Sequence, residues 1–169
     1  MPLNPGIAER RILERDIEDA HDDVVFDAAP HSSWEATMAL IGRWLMAAIF
    51  LMSGIAKLTD TAGTVAHMTK AGIPYADTLV YVAGCAEVLG GVALVLGLLT
   101  RVAASGLILY MIPTTLIFHA FWNYEGAERM PQMVNFMKNL AIIGGLAALA
   151  AFGAGRASID HKLRRRHLR

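Results

Sequence analysis

Cysteine is almost missing from this chain: Cys85 is the only one in 169 residues. A single cysteine excludes an intramolecular disulfide and a Cys-x-x-Cys redox pair. Net charge is missing as well, since 15 Lys and Arg balance 15 Asp and Glu. Those charges gather at the two ends and in short gaps, and no basic patch interleaved with aromatics speaks for nucleic acid as a partner. No set of His, Cys, Asp and Glu has the spacing of a metal site, so no metal is expected. An early apolar run is also absent. The first begins only after residue 37, later than the apolar core of a cleaved signal peptide, so none is expected.

What is present is apolar surface. The chain is 55% hydrophobic with a mean hydropathy of +0.43, a composition of membrane proteins rather than ordinary soluble domains. Four stretches are long enough to cross a bilayer, which takes about 20 apolar residues. The first runs from Thr37 to Leu58, the second from Thr78 to Arg101, the third from Val102 to Trp122 and the fourth from Val134 to Gly153. The fold class expected is all-α, an integral membrane four-helix bundle. The expected organisation is a polar arm over residues 1–37, a membrane domain over 38–155 and a basic tail over 156–169. Within the arm, Ile7, Leu13, Ile17, Ala20 and Val24 recur at near-helical spacing, a pattern for an amphipathic helix. The loop after the first span predicts a short helix around Val65–Ala71. Thr100 and Arg101 form the tight link between the second and third spans. Pro113 predicts a kink, with Thr114 or Thr115 serving the carbonyl it frees.

Orientation follows from the placement of Lys and Arg. With four spans, Arg10, Arg11, Arg15, Arg43, Arg101, Arg156, Lys162, Arg164, Arg165, Arg166 and Arg169 fall on one side. Lys57, Lys70, Arg129 and Lys138 fall on the other. The richer side is expected to be cytoplasmic, and both termini lie on it.

The second span holds the most informative residue. At helical spacing Ala83, Glu87, Gly90, Leu94, Gly97 and Arg101 form one stripe of mostly small residues with an acid in the middle. Small residues let helices approach closely, and an intramembrane carboxylate needs a partner or water. On the first span Arg43, Ala47, Phe50, Gly54 and Lys57 share a face, so Arg43 or Lys57 is the expected partner, with Arg43 and Glu87 as the candidate structural pair. The competing reading makes Glu87 a protonatable group beside a lipophilic ligand. Lys57, His119, Asn123, Lys138 and Asn139 fall toward the opposite membrane face from the termini, and with Glu87 they are the candidate ligand-binding residues. Converging on one pocket they suit a quinone-like head group: His119 could donate to a carbonyl, and Lys57 or Lys138 could stabilise developing negative charge. The plainer account of the lysines is that they snorkel to the headgroups. Haem has little support, since His21, His31, His67, His161 and His167 lie in loops or tails and leave His119 without a second membrane histidine. Cys85 reads as an inert buried thiol.

Taken together, Arg43 with Phe50, Ser53, Gly54 and Lys57, then Glu87, Gly90, Gly91, Gly97 and Arg101, then Phe136, Lys138, Asn139, Gly144, Gly145, Gly153, Gly155, Ser158 and Asp160 form a pattern. On those residues the chain resembles the DoxX family of small four-span bacterial membrane proteins, from Leu40 to Asp160. The resemblance implies a multi-pass protein of the inner membrane. It also implies redox association, since the similar DoxD proteins are linked to thiosulfate oxidation with quinone as acceptor. The role expected is an accessory subunit of a membrane oxidoreductase or respiratory system, with a quinone-like ligand in the bundle and the lipid bilayer as its surroundings. A quinone-linked oxidoreductase subunit and, behind it, a small-solute transporter are the alternatives. The resemblance gives no catalytic residue, and a homo-oligomer is open.

Overall fold

The structure is a computed structural model and describes residues 33–167. The amphipathic pattern between Ile7 and Val24 lies outside them. Six α-helices follow in order: α1 Ser33–Thr59, α2 Thr61–Lys70, α3 Ala76–Leu96, α4 Thr100–Phe118, α5 Arg129–Phe152 and α6 Ile159–His167. Two short 3-10 turns, Phe121–Asn123 and Gly126–Glu128, join α4 to α5. Among the described residues there is no strand. Four helices are long and apolar enough to cross a membrane, so the chain is an all-α membrane bundle. Large apolar side chains such as Leu45, Met52, Leu89, Val102 and Leu109 stand exposed on its outside. In water such a surface would aggregate; against lipid it is the expected one.

Lipid tails are as apolar as leucine, so burying leucine between helices gains little, and close packing has to hold the bundle. The α1–α3 seam shows how. Arg43, Ala47, Phe50 and Gly54 are the buried residues of α1, the face expected from spacing. Facing it on α3 are Val80, Gly84, Glu87, Gly91 and Leu94, which recur at helical period. A Cβ added at Gly54 would sit 2.8 Å from the Gly84 carbonyl oxygen, and one at Gly91 would sit 3.3 Å from that of Ala47. The two backbones come this close because Gly54, Gly84 and Gly91 carry no Cβ. This seam differs from the expected stripe by one residue. Gly84 and Gly91 meet α1, whereas Gly90 turns to Leu107 of α4. Ala47, Phe50, Leu94, Ala104, Leu107, Met111 and Leu146 then close the core between α1, α3, α4 and α5.

The α3–α4 hairpin turns earlier than expected, at Gly97–Leu99 rather than at Thr100 and Arg101. Gly97 takes a left-handed φ of 64°, and the Leu98 amide donates back to the Ala93 carbonyl, a glycine-terminated helix end. Gly97 therefore ends α3 rather than extending its packing face, and Arg101 belongs to the next helix. The tail closes this end of the bundle. Asp160 accepts from the Leu99 amide at 2.7 Å and the Thr100 amide at 2.9 Å, capping the start of α4. Burial alone would push the Asp160 carboxyl up; the Thr100 and Leu99 amides and the Arg43 guanidinium outweigh it and hold the group below its ordinary value. Pro113 sits inside α4, as expected, but neither threonine serves the Leu109 carbonyl it frees. Thr114 and Thr115 donate to their own fourth-preceding carbonyls, Tyr110 and Met111, at 2.8 and 2.7 Å.

At the opposite end, α2 forms where a short helix was expected. Asp60 accepts from the Gly63 amide at 3.0 Å and starts it. Met68 packs on Ala76 and Val80, which fixes α2 over the open end of the bundle.

A buried ion pair and the cavity above it

Glu87 lies at mid-length of α3, on the seam, and is only 4% exposed. One turn of α1 beyond the Gly54 contact, Lys57 reaches it. The Lys57 Nζ stands 2.8 Å from Glu87 Oε2 and 3.1 Å from Oε1. It also donates to Ser53 Oγ at 2.6 Å, and Ser53 donates on to Oε1 at 3.2 Å. An ammonium has three protons, and all three have acceptors here. Tyr110 of α4 lines the same cavity as the pair. A carboxylate taken out of water needs this many donors to stay charged at tolerable cost.

Arg43 is not part of this network, and the candidate Arg43–Glu87 pair does not form. Its guanidinium, 1% exposed, donates to the carbonyls of Ala154 and Ala157 and, at 3.5 Å, Val95. The reason is depth. Lys57 lies 14 residues, or about 20 Å of helix, further along α1 than Arg43, and Glu87 stands level with the lysine. Arg43 instead ties α1 to the segment after α5.

Above the ion pair a cavity of about 770 Å³ opens between α1, α2, α3, α4 and α5. Ligand sites in proteins commonly span about 300–1,000 Å³ with apolar walls and few polar groups. Glu87, Lys57, His119 and Asn139 all line it, so four of the six candidate residues come together. The other two do not. Asn123 stands exposed on the 3-10 turn, and Lys138 is exposed on the outer side of α5, one position along the helix from the inward Asn139. Lys138 therefore cannot stabilise charge in this cavity.

The geometry also changes what His119 offers. Its Nδ1 lies 2.8 Å from Gln132 Oε1. A carbonyl oxygen only accepts, so in the neutral ring Nδ1 carries the proton and Nε2 is left an acceptor. The expected donation to a ligand carbonyl is not available from that tautomer. Asn139 donates to Thr115 Oγ1 at 3.1 Å. Ser53, named above only among the residues of the resemblance, borders the cavity, as do Tyr110 and the stacked rings of His67 and Phe118, 4.9 Å apart at 15°, to which spacing gave no role. A tyrosine near the middle of an apolar span was a usable signal, since its hydroxyl must find a partner there. The His67–Phe118 stack had none, because it joins a loop helix to a span.

A four-span bundle with a carboxylate–lysine pair beneath an apolar cavity is the class of protein defined so far. The DoxX family model matches residues 38–120. The inner membrane protein YphA of Escherichia coli is 34% identical over 125 residues, 74% of this chain and 89% of the relative. The inner membrane protein YqjF of the same organism is 35% identical over 127 residues, covering 75% of this chain and 92% of the relative. The membrane protein Rv3486 of Mycobacterium tuberculosis is 30% identical over 139 residues, 73% of this chain and 80% of the relative. No solved structure matches. The chain belongs to the DoxX family and is a multi-pass protein of the inner membrane.

Proposed function

We propose that the protein is an accessory subunit of a membrane redox or respiratory system, and that its cavity holds a lipophilic, quinone-like ligand. The observation that carries this reading is the placement of the Lys57–Glu87–Ser53 network at the floor of an apolar cavity of about 770 Å³ inside a membrane bundle. An amphiphile with a flat ring and an apolar tail suits such walls, and the stacked His67 and Phe118 rings offer a flat surface to it. The protons of Lys57 are already committed to Glu87 and Ser53, which favours holding a ligand over acid–base chemistry on it. That commitment supports the accessory role over a quinone-linked catalytic subunit. The resemblance to DoxD proteins supports the association with redox chemistry and a quinone.

The test is identification of what travels with the protein. The full chain is purified in mild detergent, its lipids are extracted and identified by mass spectrometry, and the Ala86→Trp variant is treated alongside. Ala86 borders the cavity, so the indole fills it. A redox-active isoprenoid enriched with the parent and depleted in the variant is the expected result, together with an oxidoreductase subunit among cross-linked partners. Bulk phospholipid alone, equal in both preparations, would overturn the ligand.

A further inference from the structure

The wall of the cavity is not equally closed on all sides. On α3, Leu79, Val82 and Ala86 border it, and all three are also exposed on the outside of the bundle, Val82 at 59%. On α4, Pro113 and Ile117 do the same. Residues that line a cavity and face outward on two neighbouring helices mark a cleft between them. The hairpin joins these helices at Gly97–Leu99, and Gly90 still meets Leu107. The cleft lies further from the hairpin than that contact. Val82 and Ala86 stand about 9 and 15 Å along α3 from Ala76, within its apolar span. The opposite wall is tighter. Of the lining residues there, Ile49 of α1 is exposed, but Asn139 and Ile142 of α5 are half-buried.

We propose that the ligand enters and leaves this cavity sideways, from the bilayer core between α3 and α4, and that its apolar tail lies in that cleft while the ring is bound. This rests on the quinone-like reading above and adds the route and the place of the tail. A cavity of about 770 Å³ encloses a drug-sized molecule, so a long isoprenoid chain has to pass out of it. Between α3 and α4 such a chain runs past Val82, Pro113 and Ile117 and meets lipid tails. At the α2 end it would meet headgroups and water, where every exposed methylene costs free energy. The ring is left inside, on the side of Lys57 and Glu87. The cavity therefore selects its ligand by the ring and by the presence of an apolar tail, and tail length is free to vary.

The test uses a long-chain isoprenoid quinone with a diazirine midway along its tail. The full chain in lipid nanodiscs is irradiated with it, with and without an excess of the same quinone lacking the diazirine, and labelled residues are mapped by mass spectrometry. Only label lost to the competitor counts as specific, because any tail in the bilayer strikes exposed side chains. Specific label is expected on Val82 and Ile117. Val82→Trp and Ile117→Trp narrow the cleft from either side at exposed positions, where a larger side chain does not disturb the core. Each should lose the label on the opposite rim; undiminished label in either variant would overturn the route. Specific label confined to Gly72 and Pro74 would place the exit at the α2 end, and label confined to Ile49 would place it beside α1. Either result overturns the inference and leaves the ligand reading standing. No specific label anywhere would overturn the ligand reading itself, and this inference with it.

Discussion

Lys57 and Glu87 hold α1 to α3 through a 2.8 Å salt bridge in which the acid is buried and the lysine still 23% exposed toward the cavity. Removing one partner of a buried pair is costlier than removing both, because the survivor is left charged without a counter-ion. Glu87→Gln should therefore destabilise the bundle by about 3 kcal/mol, and adding Lys57→Met should recover more than half of that loss. Thermal unfolding of all four variants in one detergent reads the coupling. Additive losses in the double variant would show that the bridge contributes nothing beyond its separate side chains.

How much of this could be read in the sequence depended on how far the information lay along the chain. The four spans were legible because each needs only its own run of apolar residues. The buried face of α1 was legible for the same reason, since spacing puts Arg43, Ala47, Phe50 and Gly54 on one stripe. The α3 seam was one residue off, because glycines line two of its faces and sequence does not say which neighbour each meets. The partner of Glu87 required the relative depth of two helices. Arg43 and Lys57 share a stripe, and only the packed bundle shows that the lysine is level with the acid. The role of His119 hinged on Gln132, which is 13 positions away and folds back through the 3-10 turns.

The glycine seam gives a sharper test of packing than the ion pair. A methyl group at Gly54 would meet the Gly84 carbonyl oxygen at 2.8 Å, and a backbone atom cannot swing aside as a side chain can. Gly54→Ala should cost about 2 kcal/mol by overpacking. Gly90→Ala meets only the end of Leu107 and should cost less. Gly106→Ala has nothing within 4 Å, and should stabilise α4 slightly by helix propensity. Melting temperatures in the order Gly106→Ala, Gly90→Ala, Gly54→Ala from high to low are expected. A Gly54→Ala protein as stable as Gly106→Ala would mean that α1 and α3 do not approach this closely.

Asp160 sets a pH dependence with a definite sign. Its carboxyl is held below its ordinary value in the folded protein. The stability it contributes is therefore present above the unfolded aspartate value of about 3.9, and is lost as pH falls through the lower folded value. Asp160→Asn removes the charged acceptor facing the Leu99 and Thr100 amides, so it should lower the melting temperature at neutral pH. The gap between parent and variant should narrow below about pH 4, where the parent also loses its charge. A gap of constant size down to acid pH would show that the charge of Asp160 is not what caps α4.

The expected orientation follows from charge. One end of the bundle gathers Arg101 on the first turn of α4, Arg156 after α5, and Lys162, Arg164, Arg165 and Arg166 on α6. The other end has Lys70 on α2 and Arg129 at the start of α5, with Lys57 drawn inward to Glu87. Cytoplasmic loops carry the excess of Lys and Arg, so the α6 end should face the cytoplasm and the α2 end the other side. Lys70 and Arg165 are both exposed, which makes each a fair reporter. Single cysteines at these positions, in a background carrying Cys85→Ser, are treated on intact cells with a maleimide that cannot cross the inner membrane. The reagent should label the Lys70 site from outside, and the Arg165 site only after the membrane is opened. Labelling in the reverse order would invert the bundle and place the end of the cavity lined by α2 on the cytoplasmic side.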